Sequence, residues 1–252
     1  ITLGILTYVI RIEKFIVAGV VGIDAVALFH VAQIAWLAGL VVPQALRAAL
    51  LPILGQRRDD EAQFVKAIEK SLDLCFGLLP VGLFGGAILI QLLLPVAFPE
   101  QYTDGSLGPS AVDLFMILLI GWCLTLLATP GYTALQAGPN PWKFTLFIGL
   151  VVMFATLCGL LLVGLMSNTV TTALYAAAVA STLSSAFLLF TSIHMAKLWF
   201  IVRQRRVEFL ASVCIASITC YGFIANSLLV FSGLILFAFI PRGWTVMNST
   251  DF

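Results

Sequence analysis

The chain has 252 residues, of which 61% are hydrophobic and 10% are charged, and its formal net charge is +1. A soluble domain carries about a quarter charged residues and at most about half apolar ones, so this composition excludes an ordinary soluble domain. The nearly neutral charge also gives no reason to expect a nucleic-acid partner. With a mean hydropathy of +1.09, the sequence predicts an all-α integral membrane helical bundle.

The sequence contains no pattern that indicates catalysis or metal binding. Its five cysteines are scattered through apolar stretches without a CxxC pair, and its two histidines, His30 and His194, are far apart. Neither arrangement is typical of a metal site. No GxSxG, phosphate-loop or HExxH motif occurs. We therefore predict no enzyme, no metal and no cofactor, and we interpret the cysteines as small hydrophobes packed between helices.

Six stretches are apolar over the roughly 20 residues that a membrane-spanning helix needs. In chain order they are about 1–21, 25–54, 72–98, 112–137, 144–166 and 172–200. We predict that these spans form one six-helix lobe over residues 1–200.

Polar segments separate the spans. Residues 55–61 are strongly charged and lead into 61–70, whose apolar residues recur at helical spacing. This pattern predicts a short amphipathic helix at the membrane surface. Beyond residue 200, a basic loop precedes an apolar stretch over 209–240, which is longer than one span requires. We predict one or two further transmembrane helices and a tail within 201–252.

Basic residues occur on every second connection. Lysine and arginine lie in the connections 55–71, 138–143 and 201–208, whereas the first, third and fifth connections have none. By the positive-inside rule, this alternation places the three basic loops and the start of the chain in the cytoplasm. We predict a multi-pass protein of the cell (inner, cytoplasmic) membrane.

Several stretches, taken in order, carry a resemblance to a known family. They are the charged helix 11–19, the span 25–54 with its ALFHVA and LPIL runs, the basic helix 61–70, Leu79-Pro80, the LLLP run at 92–95, Gln101-Tyr102, and the LQAG run at 135–138. Together they resemble the C-terminal lobe of the polysaccharide-transporter (oligosaccharide flippase) family. That family belongs to the superfamily that includes the MATE exporters and the lipid II flippases.

The resemblance implies a secondary-transporter lobe that flips a polyprenyl-(pyro)phosphate-linked oligosaccharide across the membrane for polysaccharide export. Its partners would be that lipid-linked oligosaccharide, membrane lipids and a second helical lobe. The sequence begins at Ile1, within a span and without a signal peptide, so we interpret it as a fragment that lacks an N-terminal portion. Alternatives are a MATE-type small-molecule exporter and a non-transporting scaffold or degenerate half-transporter.

The best candidate site lies in the first span. Arg11 and Lys14 are three residues apart, on one helix face, and Arg11 is close to the expected midplane of the membrane. An arginine there costs about 3 kcal/mol, so it usually faces a cavity or a partner. We interpret Arg11 and Lys14 as substrate-binding cations for the pyrophosphate. The alternatives are an internal ion pair with Glu13, or a position near the cytoplasmic interface.

Four other residues carry weaker hypotheses. Arg47 lies near the cytoplasmic end of the second span, where it either snorkels to lipid phosphates or makes a second substrate contact. Glu13, Asp24 and His30 are candidate ion-coupling groups. At such positions an aspartate like Asp24 is more often a helix N-cap, and a histidine like His30 is more often a hydrogen-bonded packing residue.

Overall fold

The computed structural model describes residues 12–106 and 108–224, and these residues form a bundle of α-helices. The helices are α1 (Ile12–Val20), α2 (Ile23–Gly39), α3 (Val41–Arg57), α4 (Glu61–Ala97), α5 (Ala111–Ala137), α6 (Pro141–Leu165), α7 (Val170–Met195), α8 (Trp199–Gln204) and α9 (Arg206–Ile224). A single 3₁₀ turn, Glu100–Tyr102, lies in the connection between α4 and α5.

Within the described residues, five helical segments are long and apolar enough to cross a membrane. They are α2 and α3 together (Ala25–Arg57), α4, α5, α6 and α7. The predicted class, an all-α membrane bundle, is therefore confirmed. The predicted first span, 1–21, is described only over α1, and the residues after Ile224 lie outside the described part of the chain.

Helix α5 forms the centre of the bundle. It packs against α2, α3, α4, α7 and α9, and its buried residues lie on all of its sides. A helix that is apolar all round is typically buried in this way. Helices α4 and α6 instead expose apolar side chains, such as Val96 (85% exposed) and Leu161 (61% exposed). Exposed apolar faces of this kind are expected where a bundle meets lipid.

Small residues allow α5 and α7 to approach closely. An added Cβ at Gly121 would lie 3.4 Å from the Cα of Thr182, and one at Gly131 would lie 2.9 Å from the Ser192 hydroxyl. The Thr182 hydroxyl also donates to the carbonyl of Ile117 on α5, at 2.9 Å. Without a hydrophobic driving force between helices in lipid, such small-residue contacts and interhelical hydrogen bonds hold spans together.

At two of the prolines in the described helices, the backbone carbonyl that the missing N–H leaves free accepts a hydrogen bond from a side chain of another helix. In a helix, the N–H of residue 43 would donate to the carbonyl of Gly39, four residues earlier, but Pro43 has no N–H. The indole Nε1 of Trp122 on α5 donates to that oxygen at 2.8 Å. Because an unsatisfied carbonyl in hydrocarbon costs several kcal/mol, this contact stabilises the joint between α2 and α3.

The second such carbonyl lies within α5. Pro130 cannot donate to the carbonyl of Leu126, and the buried thiol of Cys75 on α4 donates to that oxygen at 3.4 Å. Cys75 is therefore more than the simple packing residue that the sequence predicts, because it also satisfies a polar group.

Two helix boundaries differ from the sequence-based expectation. The helix predicted over 61–70 is not separate, because it forms the first turns of the continuous, 37-residue α4. Nothing breaks the helix there, and Ile68 on its apolar face is fully buried in the core. Helix α7 ends at Met195, before the predicted end of the last span at 200, because Lys197 adopts a left-handed backbone conformation with φ of 57°.

Candidate functional site

The α1–α2 pair carries a polar contact at the surface of the bundle. The Lys14 ammonium group is hydrogen-bonded to Nδ1 of His30, which joins the two helices. Lys14 is half-buried and His30 is exposed. Arg11, the other predicted cation of this helix, lies outside the described residues. The structure therefore brings together two of the six predicted site residues, Lys14 and His30.

His30 interrupts an apolar stripe on α2. The exposed residues Ile23, Ala27 and Ile34 recur at helical spacing on the same side as His30, whereas Gln33 is fully buried. His30 lies about 10 Å along the axis from the first residue of α2. A polar pair on an apolar membrane surface is costly unless a cavity or another helix covers it.

Glu13 points to a different side of α1, about 100° around the helix from Lys14. Its side chain is only 2% exposed and interacts with Ser181 on α7. Its Oε2 has no hydrogen-bond partner within the described part of the chain. One turn further along, Ile16 fills the space beside Gly159 on α6, where an added Cβ would lie 2.7 Å from the isoleucine Cδ1. Helix α1 thus buries Glu13 inside the bundle and leaves Lys14 on its outer side.

The remaining two predicted residues are not part of this contact. Arg47 is half-buried on α3 and acts electrostatically on Tyr132 of α5. Along the nearly continuous axis of α2 and α3, it lies about 25 Å from His30, so one phosphate group cannot contact both residues. Asp24 lies in the first turn of α2, whose N-cap position is occupied by Gly22. The predicted N-cap role of Asp24 is therefore wrong.

The basic connections meet at one end of the bundle, around a pocket of about 250 Å³. Three cations line it, each from a different connection: Arg58 before α4, Lys143 at the start of α6 and Lys197 after α7. We call this feature the basic pocket. No pattern in the sequence predicts the pocket itself. The alternation of basic loops was nevertheless a signal that these residues would lie on one side.

The other end of the bundle has a different charge. An added Cβ at Gly108 would lie 3.7 Å from the Thr171 hydroxyl and 3.8 Å from Leu28, so the connection between α4 and α5 lies beside the starts of α2 and α7. In this connection the Ser106 N–H donates to the Asp104 carboxylate at 2.8 Å. That hydrogen bond lowers the pKa of Asp104 and keeps it negatively charged. The connection itself contains no lysine or arginine.

Potential metal ligands do not cluster in the described residues. No group of three or more histidine, cysteine, aspartate or glutamate side chains there is arranged to hold a metal ion.

Comparison with known proteins finds a similarity to a transporter over half of this chain. A stretch of 126 residues is 31% identical to a Shigella flexneri protein named "Putative O-antigen transporter", over 50% of this chain and 28% of that protein. The chain thus spans little more than a quarter of the length of that relative. No family model and no solved structure matches the chain. The relative supports the resemblance to polysaccharide transporters, whereas the C-terminal lobe and the wider superfamily stay predictions.

Proposed function

We propose that this chain is one lobe of a secondary transporter that flips a polyprenyl-(pyro)phosphate-linked oligosaccharide across the cell membrane for polysaccharide export. The observation that carries the proposal is the Lys14–His30 contact on the exposed apolar face of α1 and α2. The similarity to the Shigella flexneri protein supports the same substrate class.

The Lys14 contact fits an anionic headgroup. A lysine ammonium group has three N–H donors, so it can hydrogen-bond to His30 and also reach a phosphate oxygen. Such charge-assisted bonds are strong where water is scarce. A second helical lobe facing α1 and α2 would enclose this site, and movement of the two lobes would expose it to each side in turn.

Arg47 fits a separate contact on the same path. Its distance of about 25 Å from His30 approaches the thickness of the hydrocarbon core, about 30 Å. In this proposal a phosphate group meets Arg47 near the cytoplasmic end and Lys14 deeper in the membrane.

Glu13 is the proposed coupling group. A carboxyl group buried this deeply is costly to ionise, so it takes up a proton or pairs with a cation. Its position beside Ser181, on the α7 side of α1, separates it from the substrate cation Lys14. Uptake of a proton or a cation at Glu13 would link a gradient to movement of α1. His30 and Asp24 are weaker candidates for this role, since His30 is already hydrogen-bonded to Lys14.

The alternatives make different predictions about cargo. A MATE-type exporter of small cations is disfavoured because Lys14 would repel such cargo. A non-transporting scaffold does not predict a functional role for Lys14 on this face.

Reconstituted translocation tests the proposal. The full-length protein, in liposomes that contain a fluorescent polyprenyl-pyrophosphate oligosaccharide, should transfer the label between leaflets. Lys14→Gln should lower the rate roughly tenfold, because a hydrogen bond to a charged group contributes about 1.5–3 kcal/mol. Lys14→Arg should retain more activity.

The control is Lys66→Gln, which removes an exposed charge of α4 and should leave the rate unchanged. Equal rates for the two glutamine variants would remove Lys14 from the substrate path. Absence of translocation by the wild-type protein would contradict the transport proposal itself.

A further inference from the structure

The basic pocket gathers three cations that are distant in sequence. Arg58, Lys143 and Lys197 come from three separate connections and line one concavity, whose other residues include the apolar Phe64 and Leu135. None of the lining residues is acidic. Arg58 contacts the neighbouring Asp59 at 3.6 Å, but both side chains are more than half exposed, so that contact is weak and easily exchanged.

Lys143 lies at a position in its helix that is unfavourable for a positive charge. It is the third residue of α6, whose first turn contains no acidic residue. The N-terminal end of a helix carries a partial positive charge, which makes a cation there unfavourable. A bound anion would offset both the lysine charge and the charge of the helix end.

The backbone at Lys197 is also unfavourable. Its φ of 57° is left-handed, and it follows α7 at the position where glycine is preferred. A residue with a Cβ costs about 1 kcal/mol or more in this conformation. A lysine at such a position indicates a use for its side chain, since strained residues cluster at binding sites.

Two exposed tryptophans lie close in sequence to the lysines of the basic pocket. Trp142 precedes Lys143 and is 60% exposed, and Trp199 closely follows Lys197 and is 44% exposed. Exposed tryptophans at the ends of spans mark the membrane–water interface.

We propose that the basic pocket binds a phosphate group, and specifically that of an anionic membrane-lipid headgroup. This site is separate from Lys14 and does not depend on the proposed transport. The three cations supply charge-assisted hydrogen bonds to the phosphate oxygens, and the apolar lining of the pocket contacts the adjoining glycerol and acyl atoms.

Lipid binding to the purified full-length protein tests this site. Native mass spectrometry in neutral detergent should show stronger retention of phosphatidylglycerol than of phosphatidylcholine. The combined variant Arg58→Gln, Lys143→Gln and Lys197→Gly should lose at least roughly tenfold in phosphatidylglycerol affinity. Lys197→Gly also relieves the left-handed strain, so this substitution removes a cation without harming the fold.

The matched control carries Lys66→Gln, Arg203→Gln and Arg206→Gln. It removes the same charge from exposed residues of the basic connections, none of which lines the pocket. Its affinity should change less than twofold. An equal loss in both variants would show general surface attraction and overturn the proposal. The proposal would also be overturned if the wild-type protein showed no preference for phosphatidylglycerol. It would be overturned as well if the pocket variant changed only the melting temperature and not the affinity for phosphatidylglycerol.

A second arm identifies the source of the phosphate. Soluble pyrophosphate should compete weakly with phosphatidylglycerol and should bind poorly to lipid-free protein. If pyrophosphate binds tightly and the pocket variant loses this binding, the bound phosphate does not come from a lipid headgroup. The basic pocket would then be a site for a soluble phosphate.

Discussion

Arg205 donates two hydrogen bonds to the carboxylate of Asp73, and this pair ties the junction of α8 and α9 to α4. One bond joins Nη2 to Oδ2 at 3.3 Å and the other joins Nη1 to Oδ1. The two side chains are only 11% and 16% exposed. Close by, the rings of Phe76 and Phe209 pack edge to face, with centroids 5.3 Å apart. The two contacts together fix α9 against α4.

Removal of either charge should destabilise the protein. Arg205→Ala leaves the Asp73 carboxylate largely buried without its partner, at a cost of roughly 2–4 kcal/mol. Arg205→Lys should be intermediate, because an ammonium group cannot make the paired contact of a guanidinium group. Thermal unfolding of the purified protein in detergent measures this loss. The neighbouring, exposed Arg206→Ala is the control and should change little.

Gly82 should not tolerate a side chain. An added Cβ would lie 2.0 Å from Cη2 of the Trp122 ring, and that ring is held in place by its hydrogen bond to Gly39. We expect Gly82→Ala to destabilise the fold by about 1–3 kcal/mol, as overpacking does in other cores. Gly85→Ala on the same helix meets nothing within 4 Å. An equal melting-temperature loss in both variants would contradict this packing.

The indole N–H of Trp122 should contribute to stability, because Pro43 has no N–H to donate to the Gly39 carbonyl. Trp122→Phe keeps an aromatic ring but leaves the Gly39 carbonyl unsatisfied, at about 1–3 kcal/mol. In a Pro43→Ala background, the new backbone N–H can bond to Gly39, so the same substitution should cost less. Trp36→Phe is the control. It should cost less stability than Trp122→Phe, since the Trp36 Nε1 has no hydrogen-bond partner among the described residues. Equal costs of Trp122→Phe in the two backgrounds would show that Pro43 and Trp122 act independently.

The two ends of the bundle should face different compartments. In a cysteine-free background, Asp60→Cys and Asn140→Cys should react with an impermeant thiol reagent only from the cytoplasmic side. Thr103→Cys should react from outside, because its connection lies at the end without basic residues. Labelling of intact cells, compared with labelling of inverted vesicles, shows from which side of the membrane each cysteine reacts. Reaction of both Asp60→Cys and Thr103→Cys in intact cells would contradict this topology.

Hydropathy was sufficient to predict the helical membrane class, because the need to satisfy backbone groups in lipid leaves few other structures. Sequence also identified Lys14 and His30 individually, since polar residues are conspicuous in apolar spans. It could not predict their contact, which depends on how α1 and α2 are rotated against each other. Nor could it predict the burial of Glu13, which depends on the position of Ser181 in a distant helix. The basic pocket was missed for the same reason, because three loops form it only in the folded chain.

Helix α4 is long enough to connect the membrane interior with the basic pocket. Its 37 residues span about 55 Å, whereas the hydrocarbon core is about 30 Å thick. Even strongly tilted, the helix must extend beyond the core at an end, and Phe64 in its second turn lines the pocket. Pro80 lies near the middle of the helix and is a point at which it can bend, so a bend there would displace Phe64 relative to the part of α4 beyond Pro80. A rearrangement of α4 among the spans would therefore move Phe64 and change the shape of the pocket.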